Sequence, residues 1–492
     1  MIRLLFLLHR YLGIALCLVV VAWCVSGLVM KYVQYPEVTE VEEVRGLTPL
    51  SLADCCVWPD DFSDIEVDRF SVEMLGGAPV VRLAAGRGTY TLDLSDGSYL
   101  DGFDDAQAQR FATDAVRALG LGDGARLIGL IDRDQWTVNG AFNAHRPLYL
   151  FAADDPAGTE LYISSYTGAV VQMTTSFERI GNWVGSVVHW FYPTVIRQHV
   201  VAMSNTIIWT TILGLFLTVI GLYIGIKQLK RRRSGRWSPY RGFALWHHYA
   251  GLVFGILTLT WLFSGLLSLN PWGAFESRSF APDVARLRAM DMRLADTRAT
   301  LAHVATADLP AGTVRLVGEP FDGEVRVTAW SEAGDRTRLD ASLAARPLTT
   351  PELERAATRL RPDATIAEQG WLREEDAYYY SHHDERALPV YRVMFTDGER
   401  AYLDATTGQL AYAVDASRRG SRWLFLALHR GDFAAIVRAR PVWDIMMWVL
   451  MLGVTAGAAT GAWLGVERIA RFLRRLAQRR SRTTSPAPDT AR

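Results

Sequence analysis

Cysteine is scarce, with four in 492 residues. No C-x-x-C-H occurs, so covalently attached c-type haem is excluded by that signature, and no C-x-x-C pair suggests a zinc or iron–sulfur site. Cys17 and Cys24 lie in an apolar run, and the adjacent Cys55 and Cys56 could join only to each other, so no redox role is assigned to any of the four. Net charge is absent too, since 52 basic residues balance 52 acidic ones. No hydrolase constellation is present. What the chain does have is bulk apolarity, with 50% hydrophobic residues beside 21% charged ones. That mixture suits membrane spans alternating with soluble domains rather than either alone.

Four apolar runs are long enough to cross a bilayer, which takes about 20 residues. They fall roughly at Tyr11–Tyr32, Ile207–Ile226, Ala244–Leu269 and Val442–Val466. The first is too long for a signal-peptide core, and no A-x-A cleavage site follows it, so it is read as a retained anchor. Basic residues set the expected orientation. Lys227, Lys230, Arg231, Arg232, Arg233, Arg236 and Arg241 crowd the loop between the second and third runs, and Arg468, Arg471, Arg474, Arg475, Arg479 and Arg480 follow the fourth. The positive-inside rule places both segments and both termini in the cytoplasm. The expected division has spans at 1–32, 204–226, 244–269 and 441–466, and outer domains at 33–182 and 270–420. Outer interfacial segments run over 183–203 and 421–440, with a basic loop at 227–243 and a basic, partly disordered tail at 467–492.

The chain also repeats itself. "HRYLG" (His9 to Gly13) and "WCVSGL" (Trp23 to Leu28) recur as "HHYAG" (His247 to Gly251) and "WLFSGL" (Trp261 to Leu266), 238 residues on. His145 falls opposite His383 at the same offset. "GTELYISSYTG" (Gly158 to Gly168) matches "GERAYLDATTG" (Gly398 to Gly408), Trp183 and His189 match Trp423 and His429, and Gly221-x-x-x-Gly225 matches Gly461-x-x-x-Gly465, all 240 apart. Each half reads as span, outer domain, span. The duplication is therefore parallel, with a pseudo-two-fold axis along the membrane normal. The fold class expected is an α-helical membrane protein of four spans with two α+β outer domains. In those domains, strand pairs turn at Gly168 and Gly408, and amphipathic helices cover Asp104 to Gly120 and Thr350 to Leu360.

Equivalent residues can hold one object between them across such an axis. His9 and His247 sit at the inner ends of spans one and three, and His189 and His429 in short apolar segments before spans two and four. Two imidazoles facing each other suit the axial positions of haem iron. Zinc wants four ligands, and no carboxylate or cysteine set accompanies either pair. Two b-type haems are therefore expected, with His9, His247, His189 and His429 as iron ligands. His9 to Gly27 and His247 to Gly265 are each 18 residues, or about five turns rising roughly 27 Å. Gly27 and Gly265 thus share a helix face with the histidines, as Gly13 and Gly251 do one turn on, and glycine leaves room for a macrocycle. His248 points about 100° off that face, toward headgroups or a neighbouring partner. Arg10, Arg197, Arg241, Arg430 and Arg438 are candidate partners for haem propionates. His199 and His303 have no counterparts and read as surface residues. Two loops before strand pairs could line an aromatic cleft for a metal chelate: Asp132 to Phe151, with Trp136 and His145, and Gly370 to Arg392, with Tyr379, Tyr380, His382 and His383.

Together, the H-x-Y-x-G … S-G-L spans, the "TG" strand pairs, "YYYSHH" (Tyr378 to His383), "NPWG" (Asn270 to Gly273) and "NWVGSVVHWFYPTVIR" (Asn182 to Arg197) resemble PepSY-associated transmembrane proteins of the bacterial inner membrane, over residues 1 to about 475. Some of these are similar to haem-containing ferrisiderophore reductases. The resemblance implies PepSY-like outer domains in the periplasm and electron transfer outward to a ferric siderophore or other iron chelate. The cytoplasmic segments carry no G-x-G-x-x-G after a strand, so the expected donor is a quinol or a partner reductase rather than a nicotinamide. Membrane lipid is an expected partner and nucleic acid is not. The alternatives are a PepSY-type regulatory or peptidase-inhibiting protein without redox activity, and an iron-chelate transporter component.

Overall fold

The computed structural model describes residues 2–52, 55–59, 64–86, 88–382 and 386–483, with the backbone alone for 479–483. They divide into two compact units, one built from 1–34, 181–276 and 420–492 and the other from 35–180 and 277–419.

The first unit is helical. α1 (Ile2–Met30), α2 (Val200–Gln228), α3 (Phe243–Ser268) and α4 (Val442–Thr483) are each long and apolar enough to cross a membrane. α3 matches its apolar stretch, and α1, α2 and α4 outrun theirs. α4 does so furthest, because Arg468 to Thr483 is rich in Arg, Leu, Ala and Gln, which propagate helix well. The tail's last residues, 484–492, lie outside the described residues. α1 packs against α4 and α2, and α3 against the same two, so α1 and α3 stand at opposite corners of the bundle.

The second unit holds three antiparallel sheets. β1 (Arg69–Leu75), β2 (Ala78–Ala85), β3 (Gly88–Asp93) and β4 (Tyr99–Leu100) come from the first half of the chain. β5 (Arg126–Ile131), β6 (Leu148–Ala152), β7 (Glu160–Ser164) and β8 (Val170–Thr174) form a sheet in that order. The second half supplies β9 (Thr313–Phe321), β10 (Glu324–Ser331) and β11 (Arg336–Leu339), then β12 (Ile366–Leu372), β13 (Val390–Phe395), β14 (Arg400–Asp404) and β15 (Leu410–Val414) as a matching four-stranded sheet. The expected turns are present, with Gly168 and Gly408 at φ of 69° and 76°. So are the expected helices, Asp105–Ala118 capped by Asp104 and Thr350–Leu360 capped by Thr349. Cys55 and Cys56 are joined to each other beside the sheet core.

The segments between the long helices, expected as two outer domains, form a single unit. β1 pairs with β9, fusing the halves into one seven-stranded sheet, β11-β10-β9-β1-β2-β3-β4. An unpaired strand edge is a liability, and here each half covers the other's. The pairing has its own two-fold. "RFSVE" (Arg69 to Glu73) and "RLVGE" (Arg315 to Glu319) are 246 apart, and Ser71 lies directly opposite its own counterpart Val317. Arg315 Nε bonds Glu73 Oε2 at 2.7 Å, and Arg69 Nε reaches Glu319 Oε1 at 3.3 Å, each bridge the image of the other. Gly318 is needed at the seam, since a Cβ there would fall 2.0 Å from the Phe70 ring.

Candidate functional site

Within the helical unit, the histidines of the two halves meet in pairs. The rings of His9 and His247 lie 6.2 Å apart between centroids, and those of His189 and His429 lie 6.3 Å apart. Two imidazoles on opposite sides of one metal, each bonded at about 2.0–2.1 Å, would have centroids about 6.3 Å apart. Among the described residues, no group of three or more His, Cys, Asp or Glu side chains forms that could hold a metal ion. Each pair therefore suits a metal that brings its remaining ligands with it, as haem does.

The second ring nitrogen decides which one could bind. His9 Nδ1 lies 3.2 Å from the Leu217 carbonyl, and His247 Nδ1 lies 3.1 Å from that of Gly457. His189 Nδ1 is 3.1 Å from Ser26 Oγ and 3.2 Å from the Trp23 carbonyl, and His429 Nδ1 is 3.0 Å from Ser264 Oγ. A carbonyl can only accept, so Nδ1–H donates in the first pair. In the second, the serine hydroxyls are already donated to the Trp23 and Trp261 carbonyls, so their oxygens accept from Nδ1–H. All four rings keep Nε2 as the free lone pair, in the arrangement by which metal-binding histidines are oriented.

Glycines let the rings in. A Cβ on Gly221 would sit 2.6 Å from His9 Cε1, and one on Gly461 would sit 3.0 Å from His247 Cε1. Gly27 and Gly265 pack in the same way on His189 and His429, at 3.4 and 3.7 Å. Gly13 and Gly251 do something else. They face a cavity of about 430 Å³ around His9 and His247, where a Cβ on Gly251 would meet nothing within 4 Å. That cradle has the size of a cofactor pocket. Arg10, Arg468 and Arg471 also line it.

The outer histidines are carried differently in the two halves. His189 ends a short helix, Ser186–His189, that restarts after a break at Gly185, where Gly181 O, Val29 and Met30 leave no room for a side chain. Asn182 braces it, accepting from Ser186 Oγ and donating to the Gln34 carbonyl, both at 2.6 Å. His429 follows a π-helical turn, Arg422–Ala427, braced by the buried ion pair of Arg422 and Asp432.

The remaining expectations divide. His248 points neither at the metal position nor at headgroups. It is buried, with Nδ1 2.9 Å from Ser238 Oγ and Nε2 2.9 Å from the Gly225 carbonyl, so it has no lone pair to spare. Arg10 lines the inner cavity, whereas the Arg430 side chain is exposed and its carbonyl accepts from Trp443 Nε1 at 2.7 Å. Arg197 packs on the Tyr192 ring. Trp136, Tyr379 and Tyr380 do not line an open cleft. All three are buried, Trp136 and Tyr379 in the cores under the two small sheets, because β6–β7 and β13–β14 need large side chains on the covered face. His382 packs edge-on against Tyr380, and His383 lies outside the described residues. The pairing of His145 with His383 is corrected by its surroundings. Asp134 caps Trp136 N and binds the Tyr162 hydroxyl, and Asp376 does the same for Tyr378 N and Tyr402. Leu148 and Val390 open matching strands. Both pairs are 242 apart, which places Ala387 opposite His145.

Sequence reasoning missed Ser26, Ser264, Gly221, Gly461, Arg468 and Arg471. The serines stand inside the repeated S-G-L motif and the glycines inside the repeated G-x-x-x-G, so both signals were there to be used. No known family model matches the chain, and no curated protein matches it.

Proposed function

We propose that the chain is a bacterial inner-membrane protein of the PepSY-associated kind, holding two b-type haems and carrying electrons outward to ferric chelates in the periplasm. The observation that supports this reading is the pair of imidazole couples at 6.2 and 6.3 Å, all four with Nδ1 tied and Nε2 free. His9 and His247 would hold one haem, and His189 and His429 the other. When bound, a haem with two histidine ligands supplies a one-electron couple.

The chain's own residues do the rest. The Leu217 and Gly457 carbonyls and the Ser26 and Ser264 hydroxyls fix the tautomer and aim the rings. Apolar side chains around the inner cavity, such as Phe6, Leu217, Leu252 and Phe254, exclude water. Arg10, Arg468 and Arg471 at its rim offer positive charge to propionates. Along α1, His9 and Ser26 are 17 residues apart, a rise of about 25 Å, so the two couples would divide the span into two short electron transfers. The donor is a quinol or a partner reductase, and the acceptor a ferric chelate that releases Fe(II) because the chelator favours Fe(III).

The test is optical. Protein purified from haem-replete cells should show a Soret band with the low-spin spectrum of two-histidine ligation, bleached and shifted by dithionite and restored by a ferric chelate. A colourless protein would sink the reading.

A further inference from the structure

The sheet unit encloses a second cavity, of about 470 Å³. Leu47, Met74, Leu75, Phe111 and Phe142 make its walls apolar. Among its lining residues is a buried charge cluster. Glu73, 2% exposed, accepts from Arg82 Nε at 2.8 Å and from Arg315 Nε at 2.7 Å, so both its oxygens are used. Arg315 Nη1 also reaches Glu43, at 3.0 Å. Arg82 Nη1 is held by Thr91 and the Thr167 carbonyl. What is left over is one-sided. Arg82 is 9% exposed and its Nη2 is buried without a partner. Among the described residues, Arg315 Nη2 and His145 Nε2 have no protein partner either. Glu73 has both oxygens committed and Glu43 balances the second guanidinium, so the buried polar atom of the cluster left uncommitted is an arginine nitrogen, Arg82 Nη2. Buried donors without acceptors mark a place where something else supplies the acceptor. Toward solvent, the lining turns acidic with the exposed Glu37 and the partly exposed Glu42 and Asp114.

The other half of the chain shows that the fold does not demand this cluster. Across the seam, Glu73 and Arg315 map onto Glu319 and Arg69. At the same 246-residue offset Arg82 maps onto Thr328, and at the 242-residue offset of the neighbouring loops Ala387 stands opposite His145. The strand-pair position that carries Arg82 against Thr91 carries Thr328 against Arg338 instead, with the arginine moved to the neighbouring strand. The same sheet therefore forms with or without the cluster, and the first half combines arginine and histidine beside a cavity.

We propose that this cavity binds a small zwitterion of peptide type, an apolar body with its carboxylate at Arg82, Arg315 and His145 and its ammonium toward Glu37, Glu42 and Asp114. Guanidinium–carboxylate contacts give such a site its orientation, and the apolar walls give it preference for aliphatic side chains. The site is independent of the haem reading.

Calorimetric titration of the full-length protein in detergent tests it, with dileucine, its C-terminal amide and its N-acetyl derivative as probes. Dileucine should bind saturably at one per chain. The amide and the N-acetyl form should each bind at least about tenfold more weakly. Replacing the cluster by the other half's residues, His145→Ala and Arg82→Thr, should remove binding while the absorbance spectrum is unchanged. His145→Ala guards against a folding defect in Arg82→Thr, since the His145 side chain is only half-buried and outside the salt-bridge cluster. No saturable binding of dileucine at millimolar concentration, equal binding of the amide, or undiminished binding by His145→Ala would each overturn the proposal.

Discussion

The two halves of this chain agree in one region and diverge in another. In the helical unit, each contact that orients a histidine recurs 238 to 240 residues later: His9 on Leu217 and His247 on Gly457, His189 on Ser26 and His429 on Ser264. In the sheet unit, the two-fold-related Glu73 and Glu319 have opposite fates. Burial pushes the Glu73 carboxyl up, but Arg315 and Arg82 on either side outweigh it and hold the group at about 2. Burial pushes Glu319 up as well, and there Arg69 and Arg288 fail to offset it, so it ends above the usual range. The difference follows from what each region must do. A metal held between two halves, as proposed for the histidine couples, would need both at one distance, so neither could drift. A sheet needs only its backbone pairing and a covered face, so its side chains are free to specialise.

Breaking the conserved region should have the largest effect. His189→Ala or His429→Ala should each remove one haem of the two proposed, halving the Soret absorbance per protein, and the two substitutions should be equivalent. If one variant keeps its full complement, the outer couple is not the ligand pair. Next come the seam bridges. Arg315→Ala would leave Glu73 buried with Arg82 alone, and breaking a buried pair in this way costs about 3–5 kcal/mol. Its image Arg69→Ala removes a bridge whose arginine is 41% exposed, for which about 1 kcal/mol or less is expected. Thermal unfolding in detergent should separate the two clearly, and equal losses would mean that the seam is symmetric in energy as well as in register. Gly221→Leu and Gly461→Leu should then cost about 1–3 kcal/mol each by overpacking, and both should displace an inner histidine and bleach the same haem.

What was legible in the sequence was whatever the halves spell with the same letters. The histidines, the S-G-L serines and the G-x-x-x-G glycines all repeat, because side-chain chemistry at a metal allows few substitutes. The Leu217 and Gly457 carbonyls were invisible, since any residue can offer a carbonyl. The seam was hidden for a related reason. β2 and β10 share only three buried positions, Val81 with Val327, Arg82 with Thr328 and Leu83 with Ala329, and almost no residues, and only R-x-x-x-E in β1 and β9 betrays the two-fold. The offset also drifts, from 238 at α1 to 246 at the seam, 242 at the loops before β6 and β13, and 240 at β7. A fixed offset therefore matched His145 to the wrong residue. Tyr379 reads as part of a cleft because aromatic, polar loops do line clefts, yet such a ring is also what a small sheet buries.

The smallest effect is also the most diagnostic, because its sign depends on pH. Glu73 has a folded-state value below its unfolded one of 4.5. Its contribution is present above that value and is lost as the pH falls from there toward about 2. Glu319 is the reverse. Its folded-state value lies above 4.5, so stability is greatest when the group is protonated and declines as the pH rises through the folded value. Glu319→Gln removes that decline while keeping the side chain's size. The variant should therefore melt higher than the parent at pH 7 and no higher at pH 4, where the parent's Glu319 already carries its proton. Glu73→Gln, at the image position, should do the opposite at pH 7, because the buried Arg82 and the half-buried Arg315 lose their fully buried counter-charge. Opposite signs from one substitution at two positions related by the seam would show that a single symmetric sheet favours the anion of one carboxylate and disfavours that of the other. Equal signs would return the two halves to equivalence and remove the basis for assigning the charged cavity to the first half alone.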